Sequence, residues 1–200
     1  MKRNTLIMTF AIFAIGTFLT LILTTEKTMS EQNKSKNPQY EITVKQKGAE
    51  LGKIILELYP EIAPKHVHNF DSLVSSGFYD GTAFHRVIPG FMIQGGDPNS
   101  KTMPKEKWGY GDPSQTKVPA EFNSTSHERG ILSAARSQDP NSATSQFFIC
   151  VADAKFLDRQ YTAFGKAISG MEVADKVVNS PRDRNDNPND KIEMFIKKIK

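Results

Sequence analysis

Apolar and polar residues alternate along much of the chain. Ile42 and Val44 alternate with polar neighbours, and the same pattern returns at Ile54. A period of two is typical of strands with one buried face. Further short apolar runs, each bounded by Gly, Pro, Asp or Asn, lie at residues 84–94, 129–135, 146–151 and 163–168, and a last, less regular strand is expected at 192–199. Many short strands separated by turns favour an all-β barrel or sandwich.

Two segments have helical spacing instead. Pro64 is suited to the first turn of a helix, and Val67 and Phe70 begin an apolar face that continues through the next turn. Gly77 stands where a C-terminal cap is expected. A second helix is predicted at about 171–179, where apolar residues again fall on one side.

A long apolar segment precedes these elements. Residues 6–23 are eighteen residues without a charge, and they follow Lys2 and Arg3. As a helix the run would measure roughly 27 Å, close to the ~30 Å hydrocarbon core of a bilayer. A secretory signal peptide also begins this way, but its apolar region is usually about 7–15 residues, and no A-x-A site follows here. We expect residues 1–25 to form an uncleaved signal anchor, a hydrophobic helix, with a cleaved signal peptide as the alternative.

Charge and composition separate this segment from the domain. Residues 26–38 are polar and lack periodic apolar positions, which predicts a flexible linker before a domain at 39–200. The formal charge of the chain is +4, of which residues 1–37 carry +3 and the other 163 residues only +1. A nucleic-acid-binding domain usually has a basic face, so no nucleic-acid partner is expected.

The basic start of the chain also predicts a location. Lys2 and Arg3 would hold the N-terminus in the cytoplasm, because basic residues flanking a membrane span stay on that side. The domain would then be extracytoplasmic, in the periplasm or at the cell surface. It would be secreted if the signal were cleaved.

The sequence contains no convincing metal site. His66 and His68 lie two apart on the first predicted helix, so they face different directions and cannot share an ion, and we interpret both as part of a solvated helix surface. Residues 183–194 begin like a calcium loop but have Pro188 where that loop needs glycine. The single cysteine, Cys150, excludes an intrachain disulfide and a cysteine-built zinc site. We expect no metal and no cofactor.

The segment 84–97 favours a binding pocket. Strand alternation predicts that Phe84, Arg86 and Ile88 share one face. After a Pro-Gly turn the chain returns beside them and adds an aromatic ring, a thioether and an amide, which belong to Phe91, Met92 and Gln94. An arginine among such groups indicates a pocket. The alternative is an arginine that lies along a barrel wall with its head in water.

A second segment could complete this pocket. Residues 130–137 and 142–149 combine small side chains with the amide of Gln146 and two phenylalanines. This composition predicts a shallow apolar groove with polar groups at its rim. The alternative is an ordinary strand pair with Phe147 and Phe148 in the core.

Five ordered blocks of sequence closely resemble the cyclophilin-type peptidyl-prolyl cis-trans isomerases. The blocks are PKHVHNF at 64–70, GFYDGTAFHRVIPGFMIQGGD at 77–97, GILSAARS at 130–137, SATSQFFI at 142–149 and FLDRQYTAFGKAISGMEV at 156–173. The resemblance extends over about residues 40–200. It implies an eight-stranded antiparallel barrel capped by two α-helices, with a proline-containing polypeptide bound in a groove on its outer face.

The resemblance also implies site residues. The family's catalytic arginine corresponds to Arg86. Its proline-pocket residues correspond to Phe91, Met92, Gln94, Phe148 and Leu157. Its peptide-contacting groove positions correspond to Ala135, Arg136 and Gln146.

Three substrate-binding positions depart from the pattern of many eukaryotic members. Phe156 replaces a tryptophan, Tyr161 replaces a histidine, and Arg136 replaces an asparagine. All three resemble bacterial members, and the missing indole N–H predicts weak cyclosporin binding. We expect a monomeric isomerase that acts on exported polypeptides. A binding module that holds unfolded chains without turnover is the alternative, and the intact Arg86 and Phe148 favour the enzyme.

Overall fold

A computed structural model describes residues 36–200 of the chain. The predicted signal anchor at 1–25, and the predicted linker up to residue 35, lie outside the described residues. Within residues 36–200, no helix combines the length and the apolar character needed to cross a membrane. Asn37–Lys200 pack as one unit, in which the Leu58 N–H donates to the Pro38 carbonyl at 3.0 Å.

Eight antiparallel strands close into a barrel. In chain order they are β1 (Gln39–Gln46), β2 (Ala49–Leu58), β3 (Thr82–Ile88), β4 (Met92–Gly95), β5 (Ile131–Ala134), β6 (Phe147–Cys150), β7 (Ala163–Ser169) and β8 (Ile192–Lys198). Around the barrel the order is β1-β2-β7-β5-β6-β4-β3-β8. The eight-stranded antiparallel barrel implied by the resemblance is therefore confirmed, and of the two all-β architectures the chain adopts the barrel.

Both predicted helices are present, as α1 (Pro64–Ser75) and α3 (Met171–Val178). Pro64 occupies the first turn of α1, where its missing N–H costs nothing, and the helix ends just before Gly77, whose φ of +68° suits glycine. A four-residue helix, α2 (Asn99–Thr102), and two short 3₁₀ turns, Lys105–Lys107 and Lys155–Leu157, were not predicted. Such short segments do not complete enough turns to show a helical period.

Aromatic rings attach α1 to the barrel. Phe70 is 2% exposed, and its ring lies 5.2–5.6 Å from the rings of Tyr40, Tyr79 and Phe147. Large buried rings at these separations contribute both apolar area and favourable edge contacts. Phe147 therefore belongs to the barrel core. This agrees, for Phe147, with the alternative interpretation of its segment as an ordinary strand pair.

The interpretation of the two helix histidines is wrong for one of them. His68 is exposed, but His66 is 5% exposed, and its Nδ1 lies 2.7 Å from Glu121 Oε2. The same carboxylate accepts hydrogen bonds from the backbone N–H groups of Lys65 and His66 at 3.0 Å. Burial lowers the pKa of His66. Glu121 accepts hydrogen bonds from the free backbone N–H groups at the start of α1. It is distant in sequence, so local spacing could not predict that it pairs with His66.

Candidate functional site

Arg86 lies at a β-bulge in β3. Phe84 pairs with Gly95 of β4, but the next pair is Arg86 with Gln94, so His85 is an extra residue on β3. A bulge changes the direction of the side chains that follow it. Phe84 and Val87 both lie in the barrel core, whereas Arg86 is exposed. The prediction that Phe84 and Arg86 share a face is therefore wrong, because the bulge shifts the alternation by one residue.

Arg86 borders a cavity of about 330 Å³. We call it the proline cavity after the proline-pocket positions that the resemblance implies. Its lining is Arg86, Phe91, Met92, Gln94, Ala135, Arg136, Phe148, Phe156, Leu157 and Tyr161. These are all the predicted site residues except Gln146. The volume falls within the usual range for small-ligand sites.

The base of the proline cavity is a small apolar cluster that is distinct from the barrel core. Met92, Ala135, Phe148 and Leu157 are each no more than 9% exposed, and Phe91 packs against them. Phe148 comes from β6, beside Gln94 of β4 in the sheet. The pocket interpretation is therefore supported for Phe148, whereas its neighbour Phe147 faces the opposite side of the strand.

Phe148 is supported from behind by a buried histidine. The His127 ring is fully buried and stacks on Phe148, with centroids 6.2 Å apart and ring planes 21° apart. Its Nδ1 lies 3.0 Å from Asp158 Oδ1, and its Nε2 lies 3.0 Å from Ser133 Oγ. These two contacts fix the plane of the imidazole and therefore the position of Phe148. Sequence reasoning missed His127, because nothing in its local pattern relates it to β6.

A chain of hydrogen bonds forms the polar edge of the site. Arg86 Nη1 donates to Gln94 Oε1 at 3.4 Å, Gln94 Nε2 donates to Gln146 Oε1 at 3.0 Å, and Gln146 Nε2 donates to the Gly109 carbonyl at 3.0 Å. Because a guanidinium can only donate, this sequence fixes the orientation of both amides. Gln146 is thus linked to the site through Gln94, and it lines an adjoining cavity of about 330 Å³. The Ala135 N–H is occupied by the Gln146 carbonyl at 3.0 Å.

The three positions that depart from the eukaryotic pattern form the rim. The Arg136 guanidinium lies 4.4 Å from the Tyr161 ring centroid and donates to the Gln160 carbonyl at 3.0 Å. Phe156 is 66% exposed, with its ring 5.4 Å from that of Phe91. An arginine stacked on an aromatic ring is a stable arrangement. The rim therefore presents aromatic faces to a ligand in the proline cavity.

Two further observations concern the metal-ligating and nucleophilic side chains among the described residues. Between residues 36 and 200, no group of three or more His, Cys, Asp or Glu side chains lies close enough to hold a metal ion. Burial raises the pKa of Cys150 to about 12, so the thiolate needed for nucleophilic attack is not available at neutral pH. The Arg86 guanidinium lies exposed beside the proline cavity, whose base is apolar.

Comparison with known proteins agrees with this geometry. Residues 29–199 match the family model for cyclophilin-type peptidyl-prolyl cis-trans isomerases. A probable peptidyl-prolyl cis-trans isomerase of Brucella suis is 49% identical over 130 residues, which cover 63% of this chain and 66% of that protein. A peptidyl-prolyl cis-trans isomerase of Acinetobacter baylyi is 48% identical over 139 residues, 66% of this chain and 69% of that protein.

Solved structures give the same assignment. The crystal structure of a cyclophilin-type peptidyl-prolyl cis-trans isomerase of Cryptosporidium parvum superposes with a TM-score of 0.67 at 33% identity, covering 80% of this chain and 98% of that one. The same protein, crystallised in the presence of the dipeptide Ala-Pro, superposes with a TM-score of 0.66. On its sequence match and its barrel, the chain belongs to the family of cyclophilin-type peptidyl-prolyl cis-trans isomerases.

Proposed function

We propose that this protein catalyses the cis–trans isomerisation of X-Pro bonds in polypeptides. The observation that carries the proposal is the exposed Arg86 guanidinium at the border of a cavity of about 330 Å³ that has an apolar base. A proline-containing ligand is supported by the related Cryptosporidium parvum protein, which was crystallised in the presence of Ala-Pro.

The reaction needs a donor placed at the proline nitrogen. An X-Pro amide is planar by resonance, with a rotation barrier of about 18–20 kcal/mol. Without a catalyst its cis–trans isomerisation takes roughly tens to hundreds of seconds. When the bond twists, the nitrogen regains its lone pair and accepts a hydrogen bond more strongly. Arg86 would therefore bind the twisted state better than either planar state, which is the condition for rate acceleration.

The remaining side chains would hold the substrate on either side of the rotating bond. Phe91, Met92 and Phe148 would enclose the pyrrolidine ring and exclude water from it. Gln94, with its amide oriented by Arg86 and Gln146, would bind the adjacent peptide. The ring stays fixed while the carbonyl side rotates.

A protease-coupled assay tests the activity. In this assay a chromogenic peptide is cleaved only when its X-Pro bond is trans, so the slow phase reports isomerisation. The full-length chain should accelerate that phase in proportion to its concentration, without an added metal or cofactor. A slow phase identical to that in buffer, at every concentration of correctly folded protein, would contradict the proposal and favour the non-catalytic binding module.

The substrates are proposed to be exported polypeptides, with the domain anchored on the extracytoplasmic side of a membrane. The support lies in the sequence, in the uncharged run at 6–23 that follows Lys2 and Arg3. The three rim residues of bacterial type, Arg136, Phe156 and Tyr161, favour a bacterial source. Exported chains reach this side unfolded, where slow X-Pro rotation limits their folding.

A further inference from the structure

Besides the proline cavity and the cavity that Gln146 lines, a larger one of about 440 Å³ adjoins the site. We call it the second cavity. Arg86 and Gln94 line both this cavity and the proline cavity. The other walls of the second cavity come from His85 at the bulge, from Lys105 and Trp108 after α2, and from the 185–187 loop. Sequence reasoning assigned no role to these walls.

His85 is a buried polar side chain that lines this second cavity. It is 3% exposed, and neither ring nitrogen makes a hydrogen bond to the described residues. Gly109 packs along one edge of the His85 ring. A side-chain Cβ added at Gly109 would lie 3.6 Å from His85 Nε2. Burial lowers the pKa of His85 to about 4. Asp97, the Ala83 backbone and the Gln146 side chain oppose this shift, and Arg86 adds to it. At neutral pH the imidazole therefore carries one donor and one acceptor, and neither makes a close hydrogen bond, although the Ala83 backbone and the Gln146 side chain lie nearby.

The 185–187 loop adds a second group of this kind. Asn187 Oδ1 is buried and makes no hydrogen bond within residues 36–200, whereas its Nδ2 donates to the Asn185 carbonyl at 3.2 Å. The Val87 N–H donates to the Asp186 carbonyl at 2.8 Å, which ties this loop to the strand that carries His85. Unsatisfied buried polar groups are costly, so two of them in the wall of one cavity point to a ligand or solvent molecule that completes them.

Apart from Arg86, which the proposed function assigns to the proline bond, the rest of the wall suits an uncharged ligand with some apolar surface. Lys105 Nζ is already bonded to the carbonyl of Pro188 at 2.6 Å, and Glu106 also lines the cavity. Trp108 is held in place by a hydrogen bond from Nε1 to the Met103 carbonyl at 3.0 Å. A fixed aromatic face beside unsatisfied donors and acceptors suits a peptide group, which carries one N–H and one carbonyl.

We infer that the second cavity binds the substrate polypeptide beside its proline residue, with His85 and Asn187 hydrogen-bonding a backbone peptide group of that segment. This inference rests on the proposed function, because the polypeptide reaches the second cavity past Arg86. The enzyme would then distinguish an extended unfolded chain from a short proline peptide.

Peptides of different length test the inference on the full-length chain. A blocked Ala-Pro peptide is compared with peptides that extend it by three residues on the N-terminal or on the C-terminal side. One of the two extensions should raise kcat/KM about tenfold, the scale of one or two hydrogen bonds to buried groups. Trp108→Ala removes the aromatic face that would hold the extended segment against His85 and Asn187, so the ratio of kcat/KM for the extended and short peptides should fall to about one. Phe122→Ala, which removes an aromatic ring that is 44% exposed and lines neither cavity, should retain the ratio.

Nuclear magnetic resonance of the ¹⁵N-histidine-labelled wild type gives a readout that does not depend on a variant. The productive extended peptide should shift the ring nitrogens of His85, and the short peptide should leave them in place. Three results would each overturn the inference while leaving the isomerase activity in place. They are a kcat/KM gain that persists in Trp108→Ala, a His85 ring signal that does not shift, and equal turnover of all three peptides. Failure of the short peptide to turn over would instead count against the proposed function.

Discussion

Two arginines at the proline cavity differ in how their donors are used. Arg86 makes one long hydrogen bond within the described residues, 3.4 Å to Gln94, so most of its guanidinium is open to a ligand. Arg136 donates to the carbonyls of Ser137 and Gln160 at 2.8 and 3.0 Å and stacks on Tyr161. Arg86 is therefore suited to donate to a rotating bond, and Arg136 to shape the rim.

The first prediction at the residue scale concerns Phe156. Its exposed ring provides apolar area but no N–H donor, and a lost hydrogen bond to a ligand costs about 1–3 kcal/mol, or roughly 5- to 150-fold in affinity. Cyclosporin should therefore inhibit the wild type weakly, and Phe156→Trp should recover a good part of the inhibition while peptide turnover stays within a few-fold. An inhibition titration in the protease-coupled assay measures both. Tight inhibition of the wild type would show that Phe156 does not occupy the tryptophan position.

The second prediction concerns Phe148, which is 4% exposed and contacts both the cavity and His127. Phe148→Ala removes a buried ring and should lower the free energy of unfolding by about 3 kcal/mol and also reduce kcat/KM. Urea unfolding and the isomerase assay measure the two effects. The matched change Phe122→Ala should shift stability by less than about 0.5 kcal/mol. A fully stable Phe148→Ala variant would mean that the ring is not part of the packed cluster.

At the scale of elements, the long strands β1 and β2 and the two longer helices follow from the chain's own alternation or helical spacing. The four-residue strands β4, β5 and β6 were indicated only by short apolar runs between turn residues. The bulge in β3 does not follow from the pattern, since inserting one residue leaves no signature in an alternating sequence. It nevertheless places Arg86 outside the core. His127 and Glu121 were also beyond prediction, because their partners Phe148 and His66 are distant in sequence and meet only when the barrel closes. The residue set of the proline cavity came from the family resemblance, whereas spacing alone indicated only a pocket near Arg86.

A prediction at this scale concerns the Asp158 carboxylate, which ties the loop after the second 3₁₀ turn to His127. The His127 backbone N–H at 2.7 Å, with further bonds from its ring and from Ser126, lowers the pKa of Asp158. A carboxylate with a lowered folded-state pKa contributes stability above the unfolded value, about 3.9, and loses that contribution as the pH falls through the folded value. Wild-type stability should therefore fall between pH 5 and the acid limit, and Asp158→Asn should show a smaller fall.

Urea unfolding at a series of pH values measures this difference. Asp190→Asn, which removes a carboxylate 3.0 Å from the ammonium of the exposed Lys47, is the matched control and should follow the wild type closely. If Asp158→Asn had the same acid dependence as the wild type, Asp158 would not be coupled to His127 in the folded state.

At the scale of the whole molecule, a closed barrel with almost no net charge suits a catalyst that works alone on passing chains. Closure removes the strand edges through which open sheets can pair with one another. The monomeric state stays a prediction. The prediction here is that intact-mass analysis of the protein from source cells finds the apolar segment at 1–25 retained. A mature chain that begins after residue 23 would replace the anchor with a cleaved signal, and the domain would then be released.

The central claim is that the Arg86 guanidinium donates to the rotating bond. Its most direct test is kcat/KM of Arg86→Ala in the protease-coupled assay, with Arg129→Ala as control, since Arg129 bonds Asp175 and lines neither the proline cavity nor the second cavity. Arg86→Ala should unfold at the same urea concentration as the wild type but lose roughly a hundredfold or more in kcat/KM, the scale of one preorganised donor. Arg129→Ala should lose at most a few-fold. Small and equal losses in the two variants would contradict the account.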